Sequence, residues 1–169
     1  MPTEALLSVE EYLATSYRPD CDYVDGRLEE RNVGRRDHSN LQMVVSAYLY
    51  ARRKEWGIRV YPEQRIQVGP TRFRVPDVTV VLGEPSEQVF TKPPFLCIEI
   101  LSPDDRMSRM HERIRDYIAM GVAYVWVLDP ETRRAYLETR SGGFREVTEP
   151  VLRTENPILE IPLSEIFES

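Results

Sequence analysis

The chain alternates short apolar runs with charged and turn-forming residues, and the spacing within each run predicts an element. Leu41, Val44, Val45, Tyr48 and Leu49 recur at helical spacing. They predict a long helix from a cap at Asp37 or Ser39 to about Trp56, with Gly57 as its stop. A shorter helix opens at Ser8, where Ser8-Val-Glu-Glu11 has the form of a capping box, and runs through Thr15. Between them, CDYVDGRLEERN (21–32) sets Asp25-Gly26 between strand-like flanks and predicts a hairpin. Three strands follow at 58–68, 73–82 and 95–101, the first two joined as an antiparallel pair by Gly69-Pro70 and the third introduced by Pro93-Pro94. A second long helix covers about 105–120, with Met107, Met110, Ile114 and Ile118 inward and Gly121 as its stop. It returns into the strand VAYVWVLDP (122–130), then a hairpin around Ser141-Gly142-Gly143, and ILEIPLSEIF (158–167) ends in a strand or short helix.

Strands 73–82, 95–101 and 122–128 are apolar on both faces, which predicts a sheet covered by helices on each side. The order helix, three strands, helix, strand, with hairpins attached, defines a layered α/β (α+β) domain. With 169 residues, 41% hydrophobic and 30% charged, the chain fits one soluble domain. Residues 1–36 read as a helix-and-hairpin extension, 37–130 as the core and 131–169 as a C-terminal β extension.

No stretch approaches the roughly 20 apolar residues of a membrane span. The acidic start MPTEALLSVEEYL lacks the basic region of a signal peptide. Cys21 and Cys97 lie far apart, without metal-type spacing, so a cytoplasmic protein with reduced thiols is expected. A net charge of −6 argues against nonspecific coating of nucleic acid but permits a local basic groove. Of the 22 basic residues only Lys54 and Lys92 are lysine. The sequence contains no GxGxxG, P-loop, GxSxG or CxxC motif.

Two of the buried strands carry a carboxylate, Asp77 in FRVPDVTVVL (73–82) and Glu99 in FLCIEIL (95–101). Side chains alternate along a strand, so Asp77 shares a face with Val75 and Thr79, and Glu99 with Cys97 and Leu101. If the strands are neighbours, the two carboxylates meet, and neither stays ionised cheaply without a cation. A hard divalent ion such as Mg²⁺ or Mn²⁺ suits such a pair. Salt bridges from Arg65, Arg72 or Arg74 are the competing solution.

The order helix–PD–strand–E–helix–strand resembles the PD-(D/E)XK nuclease superfamily, whose aspartate and glutamate sit on neighbouring strands and bind Mg²⁺. More narrowly, the chain resembles the bacterial Uma-two family of restriction-endonuclease-like proteins. The stretches that carry the resemblance are DYVDGRLEE (22–30), His38-Ser39, VYPEQRIQV (60–68), RVPDVTVV (74–81), IEILSP (98–103) and DYIAMGVAYVWVLDP (116–130). The resemblance implies a restriction-endonuclease-like core with a central mixed sheet flanked by helices. It also implies a metal-dependent endonuclease acting on DNA, with Asp77 and Glu99 as catalytic metal ligands.

In one respect the chain departs from the pattern. The superfamily's lysine, two positions after the glutamate, falls at Leu101. The Uma-two alternative, a lysine four residues before the helix tyrosine, falls at Arg113, four before Tyr117. At about 100° per residue, Arg106, Arg109 and Arg113 share one flank of the second helix with Tyr117. There they either hold substrate phosphate or form a solvated stripe. Arginine stays protonated and cannot act as a base.

Beside the metal ligands, Gln64 or Glu63 is expected to border the site, the former falling on the apolar face with Val60, Ile66 and Val68. His38 either contacts phosphate or a site carboxylate, or caps and packs. Asp22 and Glu30 are weaker candidates that read better as surface charge, His111 reads as solvated, and Cys97 as core. The arginines of RNVGRR (31–36) and ARRK (51–54) could extend a basic groove. The alternative function is a nuclease-fold protein that no longer cuts and serves as a DNA-binding or protein-interaction module. Tyr124, Trp126 and Tyr136 could support a homodimer.

Overall fold

In the computed structural model, residues 5–31 and 34–167 are described. The elements in chain order are α1 (Val9–Leu13), β1 (Cys21–Val24), β2 (Arg27–Glu30), α2 (Arg36–Ala51), α3 (Arg53–Trp56), β3 (Ile58–Pro62), β4 (Ile66–Gly69), β5 (Arg72–Arg74), β6 (Val78–Leu82), β7 (Leu96–Ile100), α4 (Met107–Met120), β8 (Tyr124–Asp129), β9 (Arg134–Thr139), β10 (Gly143–Glu146), β11 (Val151–Arg153), β12 (Glu160–Pro162) and α5 (Leu163–Ile166).

The two strands expected at 58–68 and 73–82 are each broken in the middle. Pro76 has no N–H to donate to a ladder, and Glu63 takes a left-handed φ of 48°. The hairpin through Gly69-Pro70 therefore bends at both positions, and its two halves enter different sheets. The outer half, β4 with β5, joins the sheet β2-β1-β5-β4. The inner half, β3 with β6, starts the six-stranded sheet β10-β9-β8-β7-β6-β3. In that sheet β7 and β8 are parallel and all other pairs antiparallel. Asp77 sits at the bend, one residue before β6.

Alternation along the central strands sends their side chains to two cores. Val78, Val80, Leu96, Ile98, Ile100, Trp126 and Leu128 face α2, where they meet Leu41, Val45 and Leu49. Cys97, Val125 and Val127 face α4 and pack on Met110, Ile114 and Tyr117. A helix thus covers each face, and each fully buried aliphatic or aromatic side chain contributes roughly 1.5–3 kcal/mol. The tail covers the α2 side further, with Leu152, Leu159, Ile161 and Ile166 in the same core. The expected hairpin around Gly143 is β9–β10, which extends the sheet beyond β8.

Helix boundaries differ from expectation at three places. Helix α2 starts at Arg36 with Arg35 as N-cap, so Asp37 and Ser39 lie inside its first turn. It breaks at Arg52, whose guanidinium lies 3.5 Å over the Tyr48 ring, before Gly57 in the left-handed region ends α3. Met107 opens α4 at the margin of the sheet and is 43% exposed, while Arg113 and Tyr117 turn inward with Met110 and Ile114.

The N-terminal hairpin is woven into the fold. Asp25 and Gly26 both have positive φ, 49° and 90°, as a two-residue turn between twisted strands requires. Strand β1 then pairs with β5 through Tyr23↔Phe73 and Val24↔Arg72. That pairing carries Asp22 and the end of β2 towards Asp77. Of the three aromatics considered for a subunit contact, Trp126 is buried, while the half-buried Tyr124 packs on Phe95 and the half-buried Tyr136 stacks on Phe144.

Candidate active site

The ladder between β6 and β7 ends at Val78↔Ile98, so the next step of the register sets Asp77 opposite Glu99. Both carboxylates lie on the α4 face and are buried, at 3% and 1% exposure. Each is anchored through one oxygen. Asp77 Oδ2 accepts the Ile100 backbone N–H at 2.7 Å. Glu99 Oε1 accepts the Tyr117 hydroxyl at 2.5 Å. Gln42 adds a bond from Nε2 to the Asp77 carbonyl, at 2.9 Å. The remaining oxygens converge on a single atom, Nη2 of Arg31, at 2.8 Å from Asp77 Oδ1 and 3.3 Å from Glu99 Oε2.

Salt bridging is therefore present, but through an arginine that the strand pattern did not single out. Arg65 is held by Asp20 and lies over Tyr12, and Arg72 bridges Asp25, Glu112 and Asp116. Arg74 binds Asp22, Glu29 and Asp116. Arg31 could have been found from hairpin alternation, since it follows Glu29 on the face that reaches Arg74. Asp22 is not surface charge: it is 0% exposed, its Oδ1 accepting the Val75 N–H at 3.1 Å and its Oδ2 facing Arg74. The bend at Pro76 takes Val75 out of the ladder, and Asp22 supplies the acceptor its N–H needs.

His38 stands with Nε2 at 3.4 Å from Asp77 Oδ1. Arg113 reaches the same region from α4, its Nε at 3.4 Å from Asp22 Oδ2. Together Arg31, His38, Gln42, Glu63, Asp77 and Arg113 line a cavity of about 230 Å³. Gln64 does not reach it. With the strand broken at Glu63, the expected face is lost, and Gln64 Nε2 instead donates to the carbonyls of Arg65 and Gln88. Arg106 and Arg109 are exposed at the start of α4 and do not line this cavity, because the first turn projects past the sheet and only Arg113 lies deep enough.

The other sequence candidates fall outside the site. Glu30 is exposed, and His111 is half-buried with its ring edge-on to Phe144 at 4.8 Å. Cys97 is core. Arg35 pairs with Asp104 and Arg36 with Asp37 beside the cavity mouth, while Asn32 and Val33 of the same basic stretch lie outside the described residues. The 51–54 stretch begins at the far end of α2, roughly 14 Å along the helix axis from Gln42. There Arg52 and Arg53 lie over Tyr48 and Tyr50.

Environment separates the two carboxylates. Burial, reinforced by the charge of Asp77, raises Glu99 from 4.5 to about 7 against the pull of Arg31, Arg113 and the Tyr117 hydrogen bond. Burial also pushes Asp77 upward, but Arg31, His38 and the Ile100 N–H outweigh it and bring Asp77 down to about 2. Burial lowers His38, yet its contact with Asp77 leaves it raised overall.

These shifts set the pH dependence of stability. Between pH 4.5 and about 7 the folded chain keeps a proton on Glu99 that the unfolded chain releases, so stability falls as pH rises through that window. Asp77 acts at the other end: its contribution is present above 3.8 and is lost as pH falls towards 2. Glu99→Gln removes only the first dependence. In metal-free urea unfolding, the variant is expected to gain on wild type by on the order of 3 kcal/mol between pH 4.5 and 8. A difference that does not change with pH would contradict the raised Glu99.

The donor set fits a hard divalent ion. Two carboxylate oxygens point at one position, their partner oxygens are anchored, and the other side opens to the cavity. Among the described residues no group of three or more His, Cys, Asp and Glu is arranged to enclose an ion. An ion here would therefore keep several waters, as Mg²⁺ commonly does.

A mixed sheet between two helices, with an aspartate at a strand bend and a glutamate opposite on the next strand, defines a restriction-endonuclease-like fold. The Uma2 family model, described as "Putative restriction endonuclease", matches residues 9–167, and the chain belongs to this family. A crystal structure from Anabaena variabilis, titled as a "putative nuclease belonging to DUF820", superposes with a TM-score of 0.81 at 21% identity, covering 95% of this chain and 97% of that one. No curated protein matches the chain. Among the described residues no helix is long and apolar enough to cross a membrane.

Proposed function

We propose that the protein is a divalent-metal-dependent nuclease that hydrolyses phosphodiester bonds of DNA. The observation that carries this reading is the convergence of Asp77 Oδ1 and Glu99 Oε2 on one point at a cavity wall that Arg113 and His38 also line. Mg²⁺ or Mn²⁺ held there would lower the pKa of a water and offset charge on the phosphate.

The chain's own residues do the remaining work. The Ile100 N–H and the Tyr117 hydroxyl keep the carboxylates aimed. Arg113 and His38 bind and orient phosphoryl oxygens. Arg113 holds its proton and takes none from the attacking water, and neither lysine lines the cavity. As the water oxygen bonds to phosphorus, the bond from phosphorus to the leaving deoxyribose oxygen breaks. The water's proton passes to a non-bridging phosphoryl oxygen, and the leaving oxygen takes one from solvent. Cutting both strands of a duplex would call for two copies of the chain.

One observation favours a protein that binds nucleic acid without cutting it: a guanidinium nitrogen stands between the two carboxylates. The readings separate on single-stranded, linear duplex and plasmid DNA incubated with Mg²⁺, with Mn²⁺ and with EDTA. Cleavage that needs the ion supports the nuclease. Salt-sensitive binding with no cleavage under any of these conditions supports the binding module.

A further inference from the structure

We infer that Arg31 and the divalent ion compete for one position, and that Arg31, once displaced from the carboxylates, becomes a ligand of the substrate phosphate. This rests on the nuclease reading and adds to it a residue that acts on the substrate.

The three partners are unequally fixed. Asp77 and Glu99 each keep a second oxygen anchored on the frame, by a backbone N–H and a buried phenol. They remain aimed when the cation between them changes. Arg31 is held less completely. Its Nη1 is buried with no hydrogen-bond partner among the described residues, 3.9 Å from Asp22 Oδ1. Its backbone lies just past the end of β2, where its N–H reaches the Asp20 carbonyl at a long 3.4 Å. The same two carboxylate oxygens that hold Nη2 are those an ion would need, and two cations cannot occupy one such position.

Charge and unused donors indicate where Arg31 goes. Without the ion, the single charge of Arg31 serves both carboxylates through one nitrogen, Nη2. A divalent ion on those oxygens would satisfy both carboxylates and leave Arg31 and Arg113 at the cavity wall sharing Asp22, which Arg74 already binds. Arg113 Nε is likewise buried without a hydrogen-bond partner among the described residues. Two guanidinium groups lining a cavity of about 230 Å³ match the fork geometry of phosphate recognition. A phosphodiester brings one negative charge, and the transition state of its hydrolysis develops more, which a second guanidinium would offset.

The test is calorimetric titration of Mn²⁺ into full-length wild type and Arg31→Met without DNA, followed by cleavage at saturating Mn²⁺. Removing the competing cation is expected to tighten Mn²⁺ binding by at least about tenfold. Loss of the phosphate ligand is expected to slow cleavage by at least about tenfold at saturating metal. Tighter metal binding with slower cleavage distinguishes a competing phosphate ligand from a packing residue. Equal or weaker Mn²⁺ binding in Arg31→Met, with wild type binding normally, overturns this inference and leaves the nuclease reading standing. Absence of Mn²⁺ binding in both overturns the two together. If Arg31→Met does not fold, wild type still decides. The ¹⁵Nε–H resonance of Arg31, assigned with Arg31→Lys, should shift on adding diamagnetic Mg²⁺, and an unchanged resonance at saturating Mg²⁺ would overturn the inference.

Discussion

Arg74→Met is expected to lower stability by about 3–5 kcal/mol, as removing one partner of a buried ionic network does. Arg74 is 1% exposed and its side chain reaches Asp22, Glu29 and Asp116 at 3.2, 2.9 and 2.8 Å. It ties both strands of the N-terminal hairpin to α4. Methionine fills similar space but leaves Asp22 without its closest cation and Asp116 without its shortest contact. Arg31 and Arg113, at 3.9 and 3.4 Å from Asp22, could compensate only in part. Urea unfolding at neutral pH measures the loss, and a cost below about 1 kcal/mol would show that these contacts behave like exposed ion pairs. Asp22 faces Arg113, so displacement of one should also disturb the wall of the candidate active site.

Glu99→Gln is expected to reduce ion-dependent cleavage by at least about 100-fold, because loss of a direct ligand should exceed the 10–100-fold typical of an outer-shell partner. Glutamine keeps the shape and can still present an oxygen to Arg31, since the Tyr117 hydroxyl can accept a bond as well as donate one. Asp77→Asn is less clean. Asp77 accepts from Ile100 N–H on one oxygen and from Arg31 on the other, and an amide has only one acceptor. For Glu99→Gln, then, loss of activity should accompany equal or greater stability at pH 8 in metal-free buffer. A variant that cuts at the wild-type rate would remove Glu99 from the mechanism.

Much of the fold was legible in the sequence, for reasons that particular residues make plain. Strand β8 is apolar from Tyr124 to Leu128, β7 is apolar but for Glu99, and α4 carries Met110, Ile114 and Tyr117 on one side before a left-handed Gly121. Alternation alone brought Asp77 and Glu99 to one face. The bend was hidden because the apolar run FRVPDVTVVL continues on both sides of Pro76, so the strand seemed to pass through it. With that bend missed, Gln64 was assigned a face it does not have. Arg31 and Asp22 were harder to place, because their burial depends on β1 pairing with β5 across some fifty residues of sequence. The flank of Arg106, Arg109 and Arg113 was right in angle and wrong in depth, since the first turn of α4 extends beyond the sheet that buries Arg113.

The central claim is that Asp77 and Glu99 hold a divalent ion. Calorimetric titration of Mn²⁺ into wild type and into Asp77→Asn/Glu99→Gln, each shown to be folded by circular dichroism, tests it most directly. Saturable binding by wild type that disappears in the double variant is the predicted result. Binding of equal strength in both proteins would contradict the assignment.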